Sequence, residues 1–89
     1  MPSIHLRLRG RVQGVGFRWF VRSHATRLGL AGWVANAPDG TVEIAASGDQ
    51  AKLDDLRRAV ASGPDGALVH EIEDLPALTD LPVPFAVKR

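Results

Sequence analysis

Residues 10–18 read GRVQGVGFR. Gly10, Gly14 and Gly16 crowd into a short span, and Arg18 stands in the first turn of the apolar, helix-like pattern that follows. Glycine permits left-handed backbone angles and close approach by another molecule. A glycine-rich loop between a strand and a helix can turn several backbone N–H groups inward, with the positive end of the helix dipole behind them; such a concavity binds anions. Arg18 adds a planar fork of donors that matches phosphate or carboxylate. Together these residues suggest a phosphate-sized cradle built mostly from backbone. Taken alone, the same spacing fits a tight turn equally well. Two familiar phosphate signatures are missing: no lysine follows the glycines as GxxxxGK[ST] requires, and Trp19 stands where GxGxxG needs its third glycine.

The second stretch with chemical content is GWVANAPDG at 32–40. Asn36 ends an apolar strand just before a turn, where an asparagine ordinarily shapes the turn through its side chain. It gains another meaning if the fold brings it to the same end of a sheet as residues 13–18. The remaining candidates are sparse. Cysteine is absent, which excludes disulfides, thiolate metal sites and cysteine nucleophiles, and fits the cytoplasm. His5 and His70 have no ligand-spaced partner, so no metal site is expected. His24 falls on an apolar helical face and reads as a partly buried structural residue.

The elements that must position these residues follow from periodicity. Ile4, Leu6, Leu8 and Val12 alternate with His5, Arg7, Arg9 and Arg11, a strand period broken at Gly10. Phe17, Phe20, Val21, His24, Ala25 and Leu28 recur at steps of three and four, one face of an amphipathic helix. Residues 30–36 form a second strand, APDG at 37–40 a turn, and residues 41–46 a third strand, so the two strands make a hairpin. Asp49 is expected to cap a second helix or to stand as an acid in its first turn; the apolar face of that helix is Ala51, Leu53, Leu56, Ala59 and Val60, with Gly63-Pro64 as its stop. Asp54 and Arg58 are expected to pair across one turn of that helix. Residues 68–72 make a weaker fourth strand, the proline-rich stretch 74–84 a loop, and residues 85–87 a short final strand. The order β-α-β-β-α-β, with right-handed crossovers, predicts an α+β, ferredoxin-like split-βαβ sandwich: an antiparallel sheet with two helices on one face. In that fold the first and third strands are central, and the loop at 13–18 and Asn36 share one end of the sheet. Trp33, opposite Val34, packs across the outer face.

The chain has 89 residues, which suits a single domain over 1–89 and, by default, a monomer. No apolar run approaches the roughly 20 residues of a membrane span, and the N-terminus lacks the hydrophobic block of a signal peptide. Residues 1–30 hold six arginines and no acid, whereas residues 31–89 hold five basic and ten acidic residues, for a formal net charge of +1. A basic first third suggests that an anion is met there; for most of its arginines a solvated strand face is the simpler account.

GRVQGVGFR at 10–18, followed by LGLAGWVANAPDGTVE at 28–43, resembles the acylphosphatase family. The resemblance is strong over residues 8–48 and continues more weakly through GPDGALV at 63–69 to the terminal FAVKR. It implies a small ferredoxin-like domain that hydrolyses carboxyl-phosphate mixed anhydrides to a carboxylate and inorganic phosphate, with no metal and no cofactor. It also implies that Gln13, Gly14, Val15, Gly16 and Phe17 hold the phosphate through backbone N–H groups. Arg18 matches the family's catalytic arginine, which grips the phosphoryl oxygens, and Asn36 its catalytic asparagine, which orients the attacking water. Inorganic phosphate or sulfate would occupy the same cradle. The family often has a basic residue before that asparagine, as in GWVRN, and here it is Ala35. On a strand Ala35 points away from the face that carries Asn36, so the departure bears on substrate charge preference more than on activity.

The resemblance is consistent with the small number of reactive groups. An acyl phosphate expels a carboxylate whose conjugate acid has a pKa of about 4, and such a group leaves without a proton. Phosphoryl transfer then needs mainly positioning and charge stabilisation. Two rival readings remain. RNA-recognition modules share the topology, but they stack bases on sheet aromatics, and here Trp33 alone is available. Acylphosphatase-like domains also occur in larger carbamoyl-phosphate-using maturation proteins; there, retention of both Arg18 and Asn36 still argues for catalysis. No nucleic-acid or membrane partner is expected, only a small acyl phosphate.

Overall fold

The computed structural model describes residues 1–88; Arg89, the last residue of the expected domain and of the FAVKR tail, lies outside them. The elements run β1 (Ser3–Arg11), α1 (Phe17–Arg27), β2 (Ala31–Asn36), β3 (Val42–Ser47), α2 (Gln50–Ser62), β4 (Leu68–Asp74) and β5 (Ala86–Lys88). The strands form one sheet in the order β4-β1-β3-β2-β5. β1 and β3 are central, as the sequence predicts. The β1–β3, β1–β4 and β2–β3 pairings are all antiparallel.

The fifth strand corrects the expectation of a purely antiparallel sheet. After β4, at one edge of the sheet, the chain passes to the opposite edge, where β5 pairs parallel to β2, matching Trp33 with Ala86 and Val34 with Val87. Gly32 N–H donates to the Pro82 carbonyl at 2.9 Å, which docks the approach to β5 on the β2 edge. The sheet is therefore mixed. Such a pairing joins residues far apart in sequence, and a short apolar run cannot announce its partner.

Alternation along each strand divides the sheet into two faces. Leu6 and Leu8 of β1, Val34 of β2, and Val42, Ile44 and Ala46 of β3 are all buried. They meet Phe17, Val21 and Ala25 of α1 and Leu53, Leu56 and Val60 of α2 in a single cluster. Each large side chain so buried contributes about 1.5–3 kcal/mol. Gly10 marks the one irregularity in β1, where the register with β4 shifts between Arg9 and Gly10. A side chain there would run into the Leu68 carbonyl.

The outer face carries the charged residues. Arg7 pairs with Glu43 and Glu73 at 3.4 and 3.5 Å, and Arg9 with Glu71 and Glu73 at 3.2 and 3.4 Å. Glu71 and Glu73 are thus partners of β1 arginines, and Asp74 pairs with Arg57 at 2.7 Å. Trp33 does pack across this face: the His5 ring meets it edge-on at 5.8 Å and Lys88 Nζ lies 4.4 Å from its centre. On α2, Arg58 pairs with Asp55 instead of Asp54, which accepts from Gln50 Nε2 at 2.9 Å. Asp49 occupies the N-cap position without a side-chain hydrogen bond, so it does not cap as expected. His24 is half-buried, its ring tilted on Phe20 at 4.5 Å.

Candidate active site

The loop between β1 and α1 is anchored at both ends by apolar side chains, Val12 and Phe17, each nearly fully buried. Between them the backbone turns sharply. Gly14 and Gly16 have φ of 75° and 76°, a region that side chains with a Cβ rarely adopt, and a Cβ at either position would touch nothing within 4 Å. Backbone angle therefore demands glycine here, and the space beside each is open. Gly16 is also the N-cap of α1, with no side-chain cap, and the Phe20 N–H is the first to reach a helical acceptor, the Gly16 carbonyl at 3.0 Å. The N–H groups of the first turn face the loop, where the helix dipole makes them attractive to an anion.

α1 places Arg18 in this first turn, which contains no acidic residue. The dipole favours the opposite arrangement, acids at the start of a helix and bases at its end. Among the described residues Arg18 has no ion-pair partner. A cation set against the dipole and left without a carboxylate is a local rule broken, and such breaks concentrate at functional sites.

Asn36 ends β2 on the same face as Val34, the face that α1 covers. Its Oδ1 is buried and accepts no hydrogen bond among the described residues; Arg7 Nε is the other such side-chain atom, but its guanidinium is already engaged by Glu43 and Glu73. The turn after Asn36 is built by other groups. Asp39 Oδ1 accepts from Thr41 N–H at 3.0 Å and from Thr41 Oγ1 at 2.6 Å, and these bonds hold its carboxyl below the usual carboxylate range. Asn36 is thus free of the turn-shaping role that its sequence position suggested.

Gln13 joins the two halves. Its Nε2 donates to the Ala37 carbonyl at 2.8 Å and to the Thr41 carbonyl at 2.9 Å, fastening the loop to the turn next to Asn36. Gly14, Gly16, Phe17, Arg18 and Asn36 line one cavity of about 760 Å³. Of the other residues expected in the phosphate loop, the Gln13 side chain is committed to the turn and the Val15 side chain packs against the core. Ala35 is across from Glu43 on the outer face, away from the cavity.

Sequence reasoning missed part of the lining. Trp19 and Arg22 of α1 border the cavity, and residues 82–87 form its far wall. The position of Arg22, four residues and so one turn after Arg18, was a readable signal. The 82–87 wall had none, because the β5–β2 pairing brings it there. Among the described residues, no group of three or more His, Asp or Glu side chains is arranged to hold a metal ion, and no helix is long and apolar enough to cross a membrane.

A family model described as Acylphosphatase matches residues 4–81. The chain is similar to the acylphosphatase of Koribacter versatilis, 54% identical over 74 residues that cover 81% of this chain and 67% of that relative. It is 49% identical over 69 residues to the acylphosphatase of Thermococcus kodakarensis, covering 78% of this chain and 76% of the relative. The crystal structure of acylphosphatase from Bacillus subtilis superposes with a TM-score of 0.90 at 37% identity, covering 100% of both chains.

Proposed function

The chain belongs to the acylphosphatase family, and from that premise we propose that it hydrolyses small acyl phosphates with Arg18 and Asn36 as its catalytic residues. The observation that carries this reading is the convergence on one cavity of a left-handed glycine loop, Asn36, and an Arg18 with no ion-pair partner among the described residues. The phosphoryl group sits over the first turn of α1, its oxygens accepting from backbone N–H groups of residues 14–18 and from the Arg18 guanidinium. The Asn36 side chain, on the cavity wall, holds the attacking water in line with the scissile P–O bond. As that bond breaks, the electron pair leaves with the carboxylate, which needs no proton. A neutral amide cannot take the water proton, so it passes to the phosphate product.

The division of labour suits phosphoryl transfer, where positioning and charge stabilisation dominate. The rival nucleic-acid reading draws less support, because Arg7 and Arg9 are held in ion pairs and Trp33 is engaged by His5 and Lys88. The proposal carries with it a monomeric, cytoplasmic enzyme that needs no cofactor, and a site that also accepts inorganic phosphate or sulfate.

Phosphate release from acetyl phosphate tests the reading. The native protein is expected to turn it over in the presence of a metal chelator, and Arg18→Ala to lose at least about a hundredfold in kcat/KM, the typical cost of one well-placed donor. Near-native rates in that variant would remove Arg18 from the mechanism.

A further inference from the structure

The space that would receive the phosphoryl group continues past it. A second cavity of about 460 Å³ runs along the outward side of α1, lined by Trp19, Arg22, Ser23, Thr26 and Arg27. Trp19 and Arg22 line both cavities and form the threshold between them. Trp19 is 69% exposed, and Val83, on the other wall of the first cavity, is 82% exposed. Large apolar groups left open beside a polar site are suited to ligand contact.

Arg22 is exposed and, like Arg11, Arg18 and Arg27, has no carboxylate partner among the described residues, whereas Arg7, Arg9, Arg57 and Arg58 do. It stands one turn along α1 from Arg18, a rise of about 6 Å. Like charges at that spacing weaken a helix, and the sequence of α1, FRWFVRSHATR, contains no acid to offset them. An anion bound at each guanidinium would.

We infer that Trp19 and Arg22 form the acyl-group subsite, and that the substrate class is acyl phosphates whose chain crosses the Trp19 ring and ends in a second anionic group at Arg22. The inference rests on the acylphosphatase reading, which fixes the phosphoryl group at Arg18. Trp19 holds the carbons of the chain and Arg22 its far charge. Both are specificity-determining residues that leave the reacting atoms to Arg18 and Asn36.

Three acyl phosphates separate these contributions: acetyl phosphate, pentanoyl phosphate and glutaryl phosphate, the last two matched in length and differing in a terminal carboxylate. In the native protein kcat/KM for glutaryl phosphate is expected to exceed that for pentanoyl phosphate about fivefold at low salt, the reach of an exposed ion pair. Rising ionic strength should shrink that ratio. Arg22→Gln should bring it to about one, and Arg22→Lys should restore it. Trp19→Ala should lower both longer substrates several-fold relative to acetyl phosphate. A native ratio near one, or a ratio that survives Arg22→Gln, overturns the subsite. Loss of acetyl phosphate hydrolysis in Arg18→Ala is read independently of that ratio, so the subsite can fall while the catalytic reading stands. A native protein inactive on acetyl phosphate would end both.

Discussion

The outer face of the sheet and the cavity at its end are built from the same basic stretch of chain, yet they treat arginine in opposite ways. On the outer face, Arg7 and Arg9 project between Glu43, Glu71 and Glu73, which the β1–β3 and β1–β4 registers set directly beside them. At the cavity, α1 supplies Arg18 and Arg22 with no acid in reach among the described residues. Charge alone does not distinguish the two regions; the placement of acids does. Antiparallel pairing sets acids of β3 and β4 beside Arg7 and Arg9 and neutralises them, while a helix of wholly basic and neutral residues leaves its guanidiniums open to a ligand. The polar atoms follow suit: Asn36 Oδ1 at the cavity is buried with no partner, while the Glu43 carboxylate on the outer face is shared between Arg7 and His5.

The contrast can be broken most sharply by exchanging charges for alanine on each side. Arg18→Ala is expected to lose at least about a hundredfold in kcat/KM on acetyl phosphate, and Arg9→Ala to keep native kinetics. Equal losses in the two variants would mean that diffuse positive charge drives activity and that the cavity geometry does not. Asn36→Ala should lower kcat about tenfold to a hundredfold with KM little changed, since water positioning acts after the phosphate is bound. Its thermal unfolding should stay near native, because the substitution removes a buried acceptor that has no partner to lose.

Gln13→Ala sharpens the comparison from inside the site. It deletes two hydrogen bonds that fasten the loop to the turn beyond Asn36. The expected result is about 1–2 kcal/mol of lost stability in denaturant unfolding, with a several-fold fall in kcat as the two halves of the site loosen. Glu71→Ala, which removes an exposed partner of Arg9, should cost less than about 1 kcal/mol and leave turnover unchanged. The smallest effect belongs to Asp39. Its folded-state pKa is depressed by the Thr41 hydrogen bonds. The stability it adds is therefore present above the ordinary carboxylate pKa and lost as pH falls through the depressed value. Asp39→Asn should flatten that acid limb of the unfolding curve.

Much of this arrangement could be read from the sequence because it is local. The alternation of Ile4, Leu6 and Leu8 with His5, Arg7 and Arg9 specifies both the strand and its two faces, and the three-and-four spacing from Phe17 to Leu28 specifies α1. The glycines before Phe17 and the position of Asn36 before a turn locate the two halves of the cavity. What escaped was non-local or depended on a choice among partners. The parallel pairing of β5 with β2 unites segments with no common pattern, so the wall from Pro82 to Val87 had no signature. Gln13 is expected from the resemblance only as a backbone donor, and its side-chain role emerges only once the turn carbonyls it bonds are in place. Arg58 had two acids within a turn, and the expected Asp54 gave way to Asp55 once Gln50 engaged Asp54.

The central claim is that the anion is bound by the glycine loop and Arg18, with the paired arginines of the sheet taking no part. Titration of the ¹⁵N-labelled protein with inorganic phosphate, followed by amide chemical shifts, puts both regions in one experiment. The account predicts saturable shifts at Gly14, Val15, Gly16, Phe17 and Arg18, abolished in Arg18→Ala, with β1 and β4 silent from Arg7 to Arg9 and from Glu71 to Glu73. Shifts centred on those strand residues, or a loop that does not respond, would contradict it.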